Sequence, residues 1–415
     1  MDIFKKFLFF TKFVIYTQIF SFLFSEDNYY KLSLNYFPSK SSLWWQNNNN
    51  YGNSLIGPQV SFSVKSNFHK IIFSHNSTFN QNEKKLIIKE LSLTYNARHG
   101  MNIKSGMFKR DFSNYLNDDL SSGSLLISNN AEPIPKISLL WSKNFKKSLL
   151  ISLGISHGLF DKNEFYSKPP FLHEKFIYLI RKYNNSELGV GLVHEAMWGG
   201  TTIQGKHPGR QPSSPKDFLK VFLSTDGPLR EGEPHANALG NHLGIWDFYY
   251  VKKFSNNSVK LYYQHLFEDT SSLRFANKTD GLWGIEFSTN NIHGLLEYIN
   301  TSNACNNPPY QCDNYYWNYQ YASGWRYKGY IIGSPLINPR NSIYIDKIKV
   351  IHLGGKLNFN SFQLTLLAFR NTNENDKLKA FVGLKRNLSK KNSTSFLFFK
   401  DGNKSNLGIE TTFEL

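Results

Sequence analysis

The chain ends in "LGIETTFEL", residues 407–415. Leu407, Ile409, Thr411, Phe413 and Leu415 share one parity, and Gly408, Glu410, Thr412 and Glu414 share the other. Successive side chains of an extended chain point to opposite sides, so this period-two pattern marks a strand with one apolar and one wet face. The pattern recurs upstream. Leu149, Ile151, Leu153 and Ile155 alternate with Ser148, Ser152, Gly154 and Ser156. Leu188, Val190 and Leu192 alternate with Glu187, Gly189 and Gly191. Trp283, Ile285 and Phe287 alternate with Gly284, Glu286 and Ser288, and Phe362, Leu364, Leu366 and Ala368 with Ser361, Gln363 and Thr365.

The connections alternate as well. Short turns rich in Asn, Lys and Ser fall near 144–146, 184–186, 255–257, 289–291, 358–360 and 388–392. Longer connections fall near 158–174, 196–241, 268–280, 300–345, 371–377 and 401–404. Short, long, short, long is the arrangement of an antiparallel membrane barrel, with tight periplasmic turns and long outer loops. A soluble sandwich gives no reason for it. The expected fold class is therefore all-β: a transmembrane antiparallel β-barrel of about eighteen strands, its long outer loops folding into the lumen. Counted from residue 58, the strands include segments near 101–110, 122–130 and 135–143, and the last is 405–415. An even count puts both ends of the barrel in the periplasm.

Composition agrees. Only 19% of the 415 residues are charged, 16% are aromatic, and Phe and Tyr number 35 and 23. After the N-terminus no run of 18 apolar residues offers a membrane helix. Lys5, Lys6 and Lys12 precede or open the apolar-leaning "FVIYTQIFSFLFS", which reads as a secretory signal peptide over residues 1–25. Residues 26–57 are expected to form an N-terminal periplasmic segment, and 58–415 the outer-membrane barrel. Removing the leader takes away three lysines and Asp2, lowering the net charge from +17 to +15. A basic exported protein suits an anionic partner. Cys305 and Cys312, seven apart in a polar segment, suit a small loop disulfide in an exported chain, with two free thiols as the alternative. Tyr249, Tyr250, Tyr262, Tyr263, Tyr315, Tyr316 and Trp317 are candidates for interfacial aromatic girdles.

Residues 194–287 hold the densest run of unusual residues. "MWGGTTIQGKHPGRQPSSPKDFLKVF", "NALGNHLGIWDFYY" and "LYYQHLFEDTSSLRFANKTDGLWGIEF" follow one another, with "SGSLLISNNAEPIPKISL" upstream and "YASGWRYKGYIIGSPL" downstream. Together they resemble the capsule assembly Wzi family of outer-membrane proteins in its Bacteroidetes-type form, over about residues 90–370. The resemblance implies a barrel in the cell outer membrane that attaches or organises capsular polysaccharide by binding, without turnover. The enterobacterial form of the family has a helical bundle at its periplasmic end. Here residues 26–57 lack a helical apolar stripe and run through four asparagines.

Enzyme readings find less support. His173-Glu174 and His194-Glu195 each lack the second histidine of a zinc-protease helix, and no Gly-x-Ser-x-Gly elbow is present. Asn241, His242, Asp247 and His265 are the residue types of a barrel lipase, which only geometry can assemble into a triad. Glu268, Asp269 and Glu286 are candidate carboxylates, for which an inward salt-bridge network is the simpler role. No metal, cofactor or nucleic-acid site is expected. Sugar binding needs aromatic faces and forked cationic or amide groups, and Arg matches a carboxylate through both oxygens. Trp198, Arg210, Trp246, Asp247, Arg274, Trp283, Trp325 and Arg326 are of the right types beside the expected outer loops.

The functional expectation is thus a monomeric, non-enzymatic barrel in outer-membrane lipid that binds capsular or exopolysaccharide, with an acidic polymer one candidate. A general or specific porin is the first alternative, and a barrel enzyme acting on lipid or glycan the second. A lumen plugged by 196–241 and 300–345 would disfavour the porin.

Overall fold

The computed structural model describes residues 27–38, 43–145, 148–229, 236–306, 312–337, 347–372 and 377–414. The leader expected over 1–25 lies outside them. Eighteen strands form one sheet. In chain order they are β1 (Asp27–Phe37), β2 (Gly57–Phe68), β3 (Ile71–Asn80), β4 (Lys85–Asn96), β5 (Met101–Met107), β6 (Pro135–Phe145), β7 (Leu149–Leu159), β8 (Phe171–Lys182) and β9 (Ser186–Trp198). The second half comprises β10 (Asn241–Lys253), β11 (Ser258–Phe267), β12 (Gly281–Ser288), β13 (Ile292–Asn300), β14 (Lys349–Phe359), β15 (Phe362–Asn371), β16 (Lys379–Asn387), β17 (Asn392–Asp401) and β18 (Lys404–Glu414). Each strand pairs antiparallel with its sequence neighbour. β1 also pairs with β18, setting Leu34 opposite Thr411 and Tyr36 opposite Ile409. Closure removes the free edge, so every strand can satisfy its backbone groups without water.

Parity along the strands separates the two faces. Leu407 and Ile409 on β18, Phe396 on β17, Leu353 on β14, Ile285 on β12, Ile177 and Leu179 on β8 and Ile137 on β6 all turn large apolar surface outward. An apolar belt running around a closed barrel is a lipid-facing wall. Inward positions carry Lys136, Glu174, Asp247, Gln264, Glu286, Glu297 and His352, all buried.

Eighteen strands were expected, but two segments trade places. Asp27–Phe37 is a barrel strand and not part of a periplasmic segment, so the barrel begins before residue 58. Its own alternation, Tyr30, Leu32, Leu34 and Tyr36 against Lys31, Ser33 and Asn35, supplies the reason. Residues 122–130 are not a strand. Leu125, Leu126 and Ile127 are consecutive and all buried, which a two-faced barrel strand cannot achieve. They belong to the 108–134 connection between β5 and β6.

The expected girdle also divides. Tyr250 faces outward with Leu188 and Leu261, but Tyr249 and Tyr262, on the opposite parity, are buried inside. Tyr315 and Tyr316 are fully buried in the 312–337 segment and belong to no girdle. Among the described residues of 26–57, helix is limited to the single turn Trp44–Asn47.

Candidate functional site

The lumen is occupied by the chain's own loops, chiefly 108–134. This loop meets the wall through buried polar anchors. Asp247 on β10 accepts from Ser113 Oγ at 2.5 Å, from Tyr178 Oη on β8 at 2.5 Å and from the Tyr115 hydroxyl. Gln264 on β11 accepts Leu125 N at 3.0 Å and donates to Ser113 Oγ at 3.0 Å. Glu297 on β13 accepts Ser121 Oγ, Ser122 N and Tyr262 Oη at 2.6, 2.7 and 2.5 Å. His352 Nε2 on β14 lies 2.7 Å from Leu120 O. Beside it Gly354 leaves the loop room, because a Cβ there would stand 2.6 Å from that same carbonyl oxygen. Lys260 pairs with Glu286 at 2.7 Å and reaches Tyr115 O at 2.6 Å, so the inward salt-bridge role expected of Glu286 is realised. Every anchor satisfies a buried group that would otherwise cost stability.

Two further segments complete the plug. Asn129 O and Asn130 O accept Tyr51 N and Gly52 N at 2.6 and 2.8 Å, which fixes the 43–56 connection against the loop. Trp44 packs on Phe369 of β15, and Asn406 of β18 donates to Gln46 at 2.7 Å. From the other side Ser128 binds Ile332 O and Gly333 O, and Tyr316 Oη donates to Leu125 O at 2.5 Å. A cavity of about 210 Å³ remains between the plug and β15–β18, lined in part by Trp45, Asp118, Asp119, Asn129, Phe399 and Glu410.

The end of the barrel with the long loops is closed by a polar cap. A three-stranded sheet joins Tyr166–Lys168, Thr201–Thr202 and Gly209–Arg210. It is stitched to the 312–337 segment. Lys206 N donates to Tyr319 O at 2.9 Å, with its ammonium 5.6 Å from the Tyr319 ring centre. Gln320 Nε2 donates to His207 O at 2.7 Å, and Tyr166 and Ser323 share a hydroxyl hydrogen bond of 2.5 Å. Gly205 has φ +120°, and a Cβ there would meet Gln320 O at 2.5 Å, so the close approach requires glycine. Gln211, Asn237, Tyr319 and Gln320 border a cleft of about 30 Å³. Lys206 and Arg210 are exposed on the cap and Asn237 Nδ2 donates to Tyr319 Oη at 3.3 Å, whereas the Gln211 and Gln320 amides are buried and bonded to Thr202, His207 and Gly209.

The eight candidate contact residues do not gather there. Arg210 lies on the cap, and Arg274 is exposed at the end of the helical turn Thr270–Leu273. Arg326 is half-buried in the short hairpin Arg326–Tyr327 with Tyr330–Ile331. Trp325 is completely buried. Asp247 is a plug anchor. Trp198, Trp246 and Trp283 stand on the outer wall. Trp198 is covered by Phe171 and Phe218, Trp246 Nε1 donates to Leu273 O at 3.1 Å, and Trp283 stacks on Tyr263 at 3.8 Å within the apolar belt. Gln211, Tyr319 and Gln320 were not singled out from sequence. Their only signal was position in two long loops.

Beside the cap sits an acidic cluster. Burial pushes the Asp313 carboxyl up to about 7, and the charge of Asp269 reinforces the shift. Burial raises Glu268 as well, with Asp313 adding to it, against the Asn314 N–H that it accepts at 2.8 Å. Asp313 N donates to Ala304 O at 2.9 Å, across the bonded pair Cys305–Cys312. Among the described residues no group of three His, Cys, Asp or Glu is placed to hold a metal. Nor do the lipase-type residues meet. His242 faces the outer wall with His194 at 2.9 Å, and His265 packs there on Phe275, whereas Asp247 faces the lumen. His194 Nε2 takes both His242 and Ser224 on the same nitrogen, where a triad needs its two partners on different ring nitrogens.

Fold and site together define a closed transmembrane β-barrel whose interior is filled by its own loops and whose long-loop end carries a polar cap. The family described as Capsule assembly protein Wzi matches residues 120–403, and the chain belongs to that family. No curated protein sequence matches it. Among solved structures it is similar to a triple mutant of Rhodopseudomonas blastica porin, at 8% identity over 94% of this chain and 98% of that one, with a TM-score of 0.39. A loop L8 deletion mutant of OmpT, an outer membrane protein of Vibrio cholerae, is similar at 7% identity with the same coverages and a TM-score of 0.35.

Proposed function

We propose that the protein sits in the outer membrane and binds capsular or related surface polysaccharide non-covalently at its polar cap, holding the polymer at the cell surface. The observation that carries this reading is the filled lumen. The 108–134 loop is tied to β8, β10, β11, β13 and β14 by buried hydrogen bonds, the β8 bond running from Ser113 N to Tyr178 Oη, which suits a rigid platform better than a conduit. Membership of the capsule assembly family supports the choice of polymer. The cap offers the chemistry of sugar recognition. Lys206 and Arg210 suit hydroxyls and carboxylates, the exposed Asn237 suits hydroxyls, and the Tyr319 ring offers a face for a sugar. Trp198, Trp246 and Trp283 take no part in this reading, because their parity turns them toward lipid.

Binding of the purified surface polymer to barrels held in nanodiscs tests the reading. Saturable binding that weakens when Lys206 and Arg210 are both changed to Ala supports it. Binding no greater than to empty nanodiscs overturns it. Steady single-channel conductance of the porin type would favour the transport alternative instead.

A further inference from the structure

The helix Pro215–Leu223 lies outside the barrel. Ser214 and Asp217 form a reciprocal capping box at its start, and Pro215 occupies its first turn. Phe218 packs at 4.9 Å from His157, 5.4 Å from His173 and 5.6 Å from Trp198. Those three residues share parity with the lipid-facing Leu153, Ile177 and Leu188 on their own strands. Phe222 lies under the Lys175 ammonium at 4.6 Å, and that ammonium also binds Phe222 O at the helix C-terminus. Val221 is fully buried in a cluster with Ala196, Trp198 and Leu239 at the rim.

The wall covers only part of the apolar arc. Residues advance about 100° each around a helix, so Val221, Phe218, Phe222, Leu219 and Leu223 follow one another around it. Leu219 and Leu223 remain 59% and 66% exposed. Val221 is on the rim side and Phe222 on the Lys175 side, farther down the wall. The two leucines beyond Phe222 therefore point toward the apolar belt. Lys216 and Lys220 come next around the helix, beside the leucines. An apolar edge bordered by lysines is the pattern of a helix lying in a bilayer interface, its lysine stems reaching toward headgroups.

We propose that Pro215–Leu223 is an interfacial anchor, with Leu219 and Leu223 in the acyl boundary of the leaflet on the long-loop side and Lys216 and Lys220 among its phosphate headgroups. The 199–240 loop then joins the polar cap to the membrane surface. Cys305 and Cys312 are the chain's only cysteines and are bonded to each other, so one introduced thiol can be labelled alone. Leu219→Cys, Leu223→Cys and Asp226→Cys, each carrying an environment-sensitive fluorophore, would be placed in nanodiscs of mixed zwitterionic and anionic phospholipid. A label at Ile177→Cys reports correct insertion. The labels at 219 and 223 should be quenched several-fold more by a nitroxide on a shallow acyl carbon than by a water-soluble nitroxide, and the label at 226 should behave in the opposite way. Quenching of 219 and 223 from water alone overturns the anchor. Changing Lys216 and Lys220 to Gln should shift the 219 label's quenching toward the water-soluble nitroxide in anionic discs only, and an unchanged profile overturns the phosphate contact.

Discussion

Glu297, on the inner face of β13, accepts the backbone N–H of Ser122 at 2.7 Å, joining two residues 175 positions apart. The same carboxylate takes the Ser121 and Tyr262 hydroxyls. Glu297→Ala leaves three donors without their acceptor in a buried site. It should lower unfolding stability by about 3 kcal/mol and introduce flickering current in planar bilayers. An unchanged denaturation midpoint with a silent bilayer would mean that the loop is held elsewhere.

Glu195 presents the opposite case. It is fully buried on β9, opposite Glu174, and neither of its oxygens has a hydrogen-bond partner. Glu174 already takes the Lys136 ammonium at 2.7 Å. Replacing this unpartnered buried acid by the amide in Glu195→Gln should raise stability by about 1 kcal/mol, read as a higher midpoint in urea. A loss of stability would show that the acid serves a partner of its own.

The acidic cluster beside the disulfide should make its loop pH-sensitive. Asp313 is raised from 3.8 to about 7, so the folded loop favours the protonated acid more than an unfolded chain does. Its contribution is full below the unfolded value near 4, declines as pH rises, and is lost through pH 7. Amide exchange at Asp313, whose N–H binds Ala304 O, should quicken across that interval beyond the intrinsic rise. Asp313→Asn should remove the extra dependence. If the variant keeps it, another group is responsible.

At the cap, changing Lys206 and Arg210 together to Ala should weaken polymer binding about tenfold, equivalent to about 1.4 kcal/mol, with little change in thermal stability because Arg210 is exposed. Trp283→Ala should leave binding unaltered, because that ring stacks on Tyr263 in the lipid-facing wall. Equal losses in both variants would place the contact surface elsewhere.

The strands were legible because a barrel wall has two solvents, and alternation records both. In "LGIETTFEL" the alternation holds: Leu407 and Ile409 face out, and Gly408 and Glu410 face in, while Leu415 lies outside the described residues. The same rule could have placed the tryptophans. Trp283 alternates in phase with Ile285 and Phe287, and that phase is the lipid side, so its aromatic type misled where its parity did not. That long loops fold into the lumen was legible, but not which one: 108–134 fills most of it, where 196–241 and 300–345 were expected, and of those 312–337 takes part while 215–223 docks outside. Leu125, Leu126 and Ile127 look like a strand by composition, and what makes them a plug is contact of Leu125 with Gln264 and Tyr316 far along the chain. Such long-range polar anchors leave no local period. The helix Pro215–Leu223 carried a local signal in its Ser-Pro-x-Asp start, but its docking on the outer wall depends on side chains brought together from three strands, β7, β8 and β9.

The central claim is that a plugged barrel retains polymer through its cap. Its most direct test compares cell-attached with shed polysaccharide in a strain lacking the gene and in the same strain carrying the wild-type gene. Synthesis should be equal, with most polymer released to the medium in the deletion strain and held on the cells when the gene is restored. Equal retention in the two strains would contradict the account.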